Sequence, residues 1–134
     1  MELKFYRCPI CGNIVVKLEN SGVPVVCCGK PMVELVPGTT DASVEKHVPV
    51  VTVDGSKVNV FVGGAEHPMV PEHYIQWIVL ETKQGWQIKY LKPETKPSAD
   101  FVLAEGDEVV AAYEYCNLHS LWKKIGRASC RERV

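Results

Sequence analysis

Four of the chain's six cysteines lie within its first 28 residues, as Cys8-Pro-Ile-Cys11 and, after 15 intervening residues, the adjacent pair Cys27-Cys28. That arrangement limits what the segment FYRCPICGNIVVKLENSGVPVVCCGKPMVELVPG can become, because it is too short to bury a core of its own and needs a staple. Two thiolate pairs can complete a tetrahedral metal site. A Cys-x-x-Cys turn points both sulfurs at one ion, and the glycine behind each pair, Gly12 or Gly29, permits the tight backbone that turns amide N–H groups toward sulfur. The adjacent pair is harder to accommodate, since neighbouring side chains on an extended strand face opposite ways. Both reach one metal only if the chain bends sharply there. The four sulfurs suit an iron centre that carries one electron as well as a structural zinc ribbon, and spacing does not choose between them.

Compartment bears on the same question. The chain has no apolar stretch of about 18 residues, and its start, MELKFYRCPI, has neither the apolar segment nor the small-residue cleavage site of a signal peptide, so the expectation is a soluble cytoplasmic protein with no membrane partner. In a reducing compartment thiols are kept for metals or chemistry rather than for crosslinks. With 46% hydrophobic and 23% charged residues and a formal net charge of −1, neither disorder nor a nucleic-acid partner is suggested.

The texture changes at VPGTTDASVEKHVP, Val36 to Pro49, and a boundary is placed near Pro37. Beyond it the pattern alternates with a two-residue period. VPVVTVDGSKVNVFVGG reads as strand, Asp54-Gly55 turn, strand; YIQWIVLETKQGWQIKYLKP as a hairpin turning around Lys83 to Gly85; and EVVAAYEYC as a last strand that delivers Cys116 to its end. Roughly seven short strands with turn signals about every 8 to 12 residues predict an all-β, two-sheet antiparallel sandwich. The organisation is thus a four-cysteine domain over residues 1–36, a sandwich over 37–126, and a tail over 127–134 outside the fold, whose Cys130 is a free thiol.

The histidines sit where such a sandwich builds sites. A single histidine in a β domain is more often a hydrogen-bonded surface or core residue than a ligand. Here His47 (EKHVP), His67 (EHPM), His73 (PEHY) and His119 (CNLH) all fall at turns or strand ends. In CNLH the Cys116 thiolate and the His119 imidazole can face one ion across a tight turn, with the backbone N–H groups of Asn117, Leu118 and His119 near the sulfur, where such bonds tune redox potential. One soft ligand and several imidazoles suit a redox metal, whereas calcium or magnesium would want oxygen.

CPIC with CCGKPM, then EKHVP, EHPM, PEHYIQW and EYCNLHSLWK, in that order over nearly the whole chain to Gly126, resemble desulfoferrodoxin, the two-iron class of superoxide reductases. The resemblance implies two iron ions per chain. One is a tetrahedral iron on Cys8, Cys11, Cys27 and Cys28; the other takes imidazoles from His47, His67, His73 and His119, with the Cys116 thiolate on the axis and a sixth position open in the ferrous state. Glu45 and Lys46 would stand beside that opening, the glutamate able to occupy it in the ferric state. The implied fold is a small rubredoxin-like metal-binding domain followed by an immunoglobulin-like antiparallel sandwich, in a homodimer.

The implied activity is one-electron reduction of superoxide to hydrogen peroxide, with electrons from rubredoxin or a similar donor. In a chain of nearly neutral charge, Lys46 is the candidate to steer the anion; as an isolated residue it would be a solvated loop lysine. Two other readings compete. A non-catalytic iron electron-transfer protein would need a sixth ligand filling the catalytic iron permanently, and a zinc-binding interaction module would be colourless.

Overall fold

The computed structural model describes residues 3–38, 47–63 and 67–125. Glu45, Lys46, Cys130 and the tail over 127–134 lie outside the described residues. The chain divides into two compact units, Met1–Val36 and Pro37–Val134.

In the first unit β1 (Phe5–Arg7) lies between β2 (Ile14–Val16) and β5 (Val33–Leu35), both antiparallel to it, and a separate ribbon pairs β3 (Val26–Cys27) with β4 (Lys30–Pro31). Among its described residues the buried apolar side chains are Phe5, Cys8 and Met32, while Ile10, Leu18, Val23, Val26 and Val33 are exposed. So little burial does not offset the entropy of ordering the segment, which is the condition under which small domains depend on metal or crosslinks.

The second unit is a two-sheet antiparallel sandwich. One sheet has the order β10-β7-β6 and the other β12-β11-β8-β9, built from β6 (Pro49–Asp54), β7 (Lys57–Val62), β8 (Ile75–Thr82), β9 (Gly85–Tyr90), β10 (Ser98–Val102), β11 (Val109–Cys116) and β12 (Ser120–Ile125). The core draws on both sheets: Val51, Val58, Val60, Val62, Ala99 and Phe101 from one, and Ile75, Ile78, Leu80, Val109, Ala112 and Cys116 from the other. In the first sheet these are alternate positions along each strand, whereas β8 and β11 are buried on both faces; losing a ring such as Phe101 would cost about 3–5 kcal/mol. The β6–β7 hairpin closes over Gly55-Ser56, with Gly55 at a φ of 63° in the left-handed region that the first position of such a turn requires.

Strand β11 is not the last, contrary to the sequence expectation. SLWKKI forms β12, which pairs Cys116 with Ser120 and Ala111 with Ile125. Its two lysines obscure the alternation, but the Lys123 ammonium lies 5.3 Å from the centre of the Tyr113 ring, so that its apolar stem covers the sheet. At the far end of β8 a side chain from a neighbouring loop fixes the turn. Asp107 Oδ1 accepts the N–H groups of Gln84 (3.1 Å) and Glu108 (2.9 Å).

The Thr82 hydroxyl, followed by these amides, holds the Asp107 carboxyl below its ordinary value of 3.8. Because its pKa is lower folded than unfolded, its contribution to stability is present above that ordinary value and is lost as pH falls through the folded value. Asp107→Ala should therefore lower the melting temperature at pH 7, with the difference from the unsubstituted protein shrinking as pH falls below the ordinary value of 3.8. A difference independent of pH would assign the effect to turn geometry alone.

Candidate metal centres

The chain does bend sharply at the adjacent cysteines. Cys28 and Gly29 form the two-residue turn between β3 and β4, with φ of 55° and 74°, the pair of left-handed residues that a type I′ hairpin demands. Glycine takes such a φ freely, whereas Cys28 adopts it at a cost of roughly 1–2 kcal/mol. The turn brings both sulfurs to one side. Cys27 Sγ lies 3.6 Å from Cys11 Sγ and 4.0 Å from Cys28 Sγ, and all four sulfurs fall within 4.8 Å of one another.

The donor set suits a soft tetrahedral cation. Cys8 Sγ accepts the N–H groups of Ile10 and Cys11, each at 3.4 Å, and these bonds, that of Cys11 foremost, bring its pKa down to about 6. Its neighbours move the other way. Sharing protons with Cys11 and then Cys8 raises Cys27 and pushes Cys28 up to about 12, because a second or third thiolate at such distances repels the first. A metal cation among them removes that repulsion without protonating the thiols. Asn13 Nδ2 adds a side-chain donor to Cys27 Sγ at 3.7 Å. All described cysteines are free thiols, Cys116 included.

The second centre lies at one end of the sandwich. His47 lies two residues before the start of β6, His67 and His73 lie between β7 and β8, and His119 follows Cys116 in the turn from β11 to β12. The four rings make a closed square. Successive centroids are separated by 4.6 Å (His47–His67), 4.7 Å (His67–His73), 5.1 Å (His73–His119) and 4.8 Å (His119–His47), with interplanar angles from 74° to 86°. Across the diagonal, His47 and His73 are 6.5 Å apart at 26°. Neighbours are thus nearly perpendicular and the measured opposite pair nearly parallel, as in a propeller around a common point.

The nitrogens face that point. His47 Nε2 is 3.1 Å from both His67 Nε2 and His119 Nδ1. The ligand atoms of His47, His67, His73 and Cys116 all lie within 4.8 Å of one another, and Cys116 Sγ is 3.9 Å from His119 Nδ1. His67 Nδ1 donates to the Pro68 carbonyl at 2.6 Å, which fixes the tautomer and leaves the Nε2 lone pair turned inward. Burial brings the His67 pKa down to about 4 against the opposing pull of that carbonyl, so the ring is neutral and able to ligate.

Strand geometry aims the sulfur. The β11–β8 register shifts between Tyr115 and Cys116, so that Tyr115 pairs with Trp77 but Cys116 with Ile75. The extra residue, Gln76, lies on β8, so the bulge bends the start of β8 toward the His73 segment, while β11 keeps regular register with β12 up to Cys116. Burial raises the Cys116 pKa, opposed by the N–H groups of Leu118 and His119. Asn117 is a correction to the sequence reading, for its N–H donates to the Tyr74 carbonyl at 3.2 Å rather than to the sulfur.

Two further residues were missed in the sequence. Trp122 stacks on His47 with centroids 5.0 Å apart at 26°, and its Nε1–H donates to the His119 carbonyl at 3.0 Å. Glu114 is fully buried, has no hydrogen-bond partner among the described residues for either carboxylate oxygen, and is held well above its ordinary pKa by desolvation. Its signal was present in EYC, where alternation puts residues 114 and 116 on one face.

Residues 39–125 match the desulfoferrodoxin family, and residues 1–35 match the desulfoferrodoxin N-terminal domain. The chain is 43% identical over 122 residues to a desulfoferrodoxin of Clostridium acetobutylicum, which spans 91% of this chain and 95% of that protein. It is 45% identical over 125 residues to one of Syntrophotalea carbinolica, spanning 93% and 98%. Among solved structures it is similar to the superoxide reductase of Treponema pallidum, at 40% identity and a TM-score of 0.79 over 92% of this chain and 99% of that one. The one-iron superoxide reductase of Giardia intestinalis aligns at 31% identity and a TM-score of 0.52 over 60% of this chain and 95% of that one.

Two separate donor sets should load independently. Metal analysis should find two equivalents per chain, falling to one in Cys8→Ser and to one in Cys116→Ser, each variant losing a different optical band. Loss of both equivalents in either variant would mean that the two centres are not independent.

Proposed function

Because the chain belongs to the desulfoferrodoxin family, we propose that it is a superoxide reductase, in which superoxide takes up one electron and two protons and leaves as hydrogen peroxide. The observation that carries this reading is the closed ring of four imidazoles joined by the Cys116 thiol. Cys8, Cys11, Cys27 and Cys28 would hold one iron, and His47, His67, His73, His119 and Cys116 the other. Bound in the second site, ferrous iron supplies the electron that superoxide accepts.

The remaining work falls to the protein. The neutral His67 ring adds no positive charge that would repel a cation, and the Leu118 and His119 amides partly offset the burial that raises the Cys116 pKa. Burial holds the Glu114 carboxyl well above its ordinary pKa, which disfavours a second negative charge beside the Cys116 sulfur. His47 and His67 are buried, whereas His73 and His119 are half-exposed, so solvent reaches the ring from one edge. That edge offers a route for the small anion and for the protons it requires.

Lys46, next to His47 in the sequence, is assigned the steering of superoxide toward the site, and Glu45 the role of a carboxylate that closes the open position once peroxide has left. Reduction consumes an electron at every turnover, so a donor is needed; rubredoxin or a similar small carrier meets that requirement. A homodimer in the cytoplasm completes the reading, since a reducing compartment keeps the ligand thiols available.

Titrating the ferrous protein anaerobically with superoxide tests the activity. One peroxide should form for each superoxide consumed, with no oxygen released; oxygen evolution would indicate dismutation, and a protein left ferrous would refute the reductase. Lys46→Ala should retain both metals yet react about tenfold more slowly at low ionic strength, the deficit shrinking as salt screens the charge. An equal rate in stopped-flow would remove the steering role.

A further inference from the structure

Asn117 stands between two of the proposed ligands, Cys116 and His119, and its side chain reaches back across the chain to the segment that carries a third. Its Oδ1 accepts the Tyr74 N–H at 2.9 Å, and its Nδ2 donates to the Glu72 carbonyl at 3.0 Å. Its own N–H donates to the Tyr74 carbonyl. The β11–β8 ladder ends where Cys116 pairs with Ile75, and these three bonds continue it over a stretch that is no longer strand. The peptide groups of His73 itself are taken by Val70, whose N–H and carbonyl bond those of His73 at 3.1 and 3.0 Å.

Between them, Val70 and Asn117 satisfy the backbone on both sides of His73. The segment 72–74 therefore has little freedom to rotate the imidazole away from the ring. The need for such a device follows from burial. His47 and His67 are seated in the protein, one under Trp122 and the other against Pro68, but His73 and His119 form the half-exposed edge where packing supplies less restraint.

We propose that Asn117 is a positioning residue of the five-donor centre, locking the His73 loop to the Cys116–His119 turn so that both halves of the ligand set keep one geometry. This rests on the reading that those residues share an iron. Asn117 touches neither the donor atoms nor a substrate. Its effect passes through the backbone, and hydrogen-bonded partners of ligands typically change metal affinity by about 10–100-fold when removed.

The iron-loaded protein provides its own control, because the four cysteines belong to the other compact unit. In Asn117→Ala, the thiolate-to-ferric charge-transfer band of the five-donor centre should shift, and iron should pass from it to a ferrous chelator about tenfold faster. The four-cysteine band and its release rate should stay as they were. Asn117→Asp, which keeps the acceptor for Tyr74 and loses the donor to Glu72, should fall between; if the alanine variant does not fold, this variant decides by the same two readings. An unshifted band with unchanged release, or equal changes at both centres, would overturn the proposal. If the unsubstituted protein binds no iron on its histidines, it is the shared-iron reading that fails.

Discussion

Four imidazoles with their nitrogens turned to one point, beside a buried sulfur, are the constraint that the sandwich must satisfy. Lone pairs from three rings meet at His47 Nε2 within 3.1 Å, a separation at which nitrogen donors repel unless a proton or a metal lies between them. Protonation is resisted, since burial holds His67 down near 4. A cation that accepts every lone pair at once resolves the conflict, so the donor set selects for metal through the cost of leaving it uncompensated.

The fold meets that demand by bringing several chain segments to one end of two sheets. Pro49 pairs with Val62 and Cys116 with both Ile75 and Ser120, so the start of β6, the end of β7, the start of β8, the end of β11 and the start of β12 are neighbours. Loops at these points need only a few residues to converge, and the core beneath them is apolar and rigid. Cys116 belongs to both worlds, as a fully buried member of the core and as a donor. Opposite it, between Trp77 and Ile75, β8 carries an extra residue, Gln76, and there the pair of strands gives up regular register where β8 begins.

Much of this was legible in the residues. Alternation marked the strands, Asp54-Gly55 and Lys83 to Gly85 marked the hairpins, and the need for a bend at Cys27-Cys28 followed from strand geometry before the type I′ turn was seen. The sandwich itself followed from counting those strands. What escaped was whatever depends on a partner distant in sequence. SLWKKI does not read as a strand because the aromatic ring under Lys123 comes from β11. Asn117 looked like a turn residue offering its amide to sulfur, whereas its bonds run to residues 43 and 45 positions away. Trp122 likewise shows its role only when His47 arrives from the other sheet's edge.

The two centres also differ in what their surroundings can do for them. Around the four cysteines, local chain geometry sets the site: both amides on Cys8 come from within three residues, and Cys11 and Cys28 are exposed. The metal there organises a unit with few buried side chains. Around the histidines the order is reversed, because a sandwich with its own core exists first and holds the donors in advance. A donor set arranged beforehand by packing and hydrogen bonds would hold a bound metal in an arrangement that the protein, rather than the ion, dictates. Chemistry therefore belongs to the centre whose shape the protein dictates, and restraint on its half-exposed edge, at His73 and His119, is what keeps that shape from relaxing.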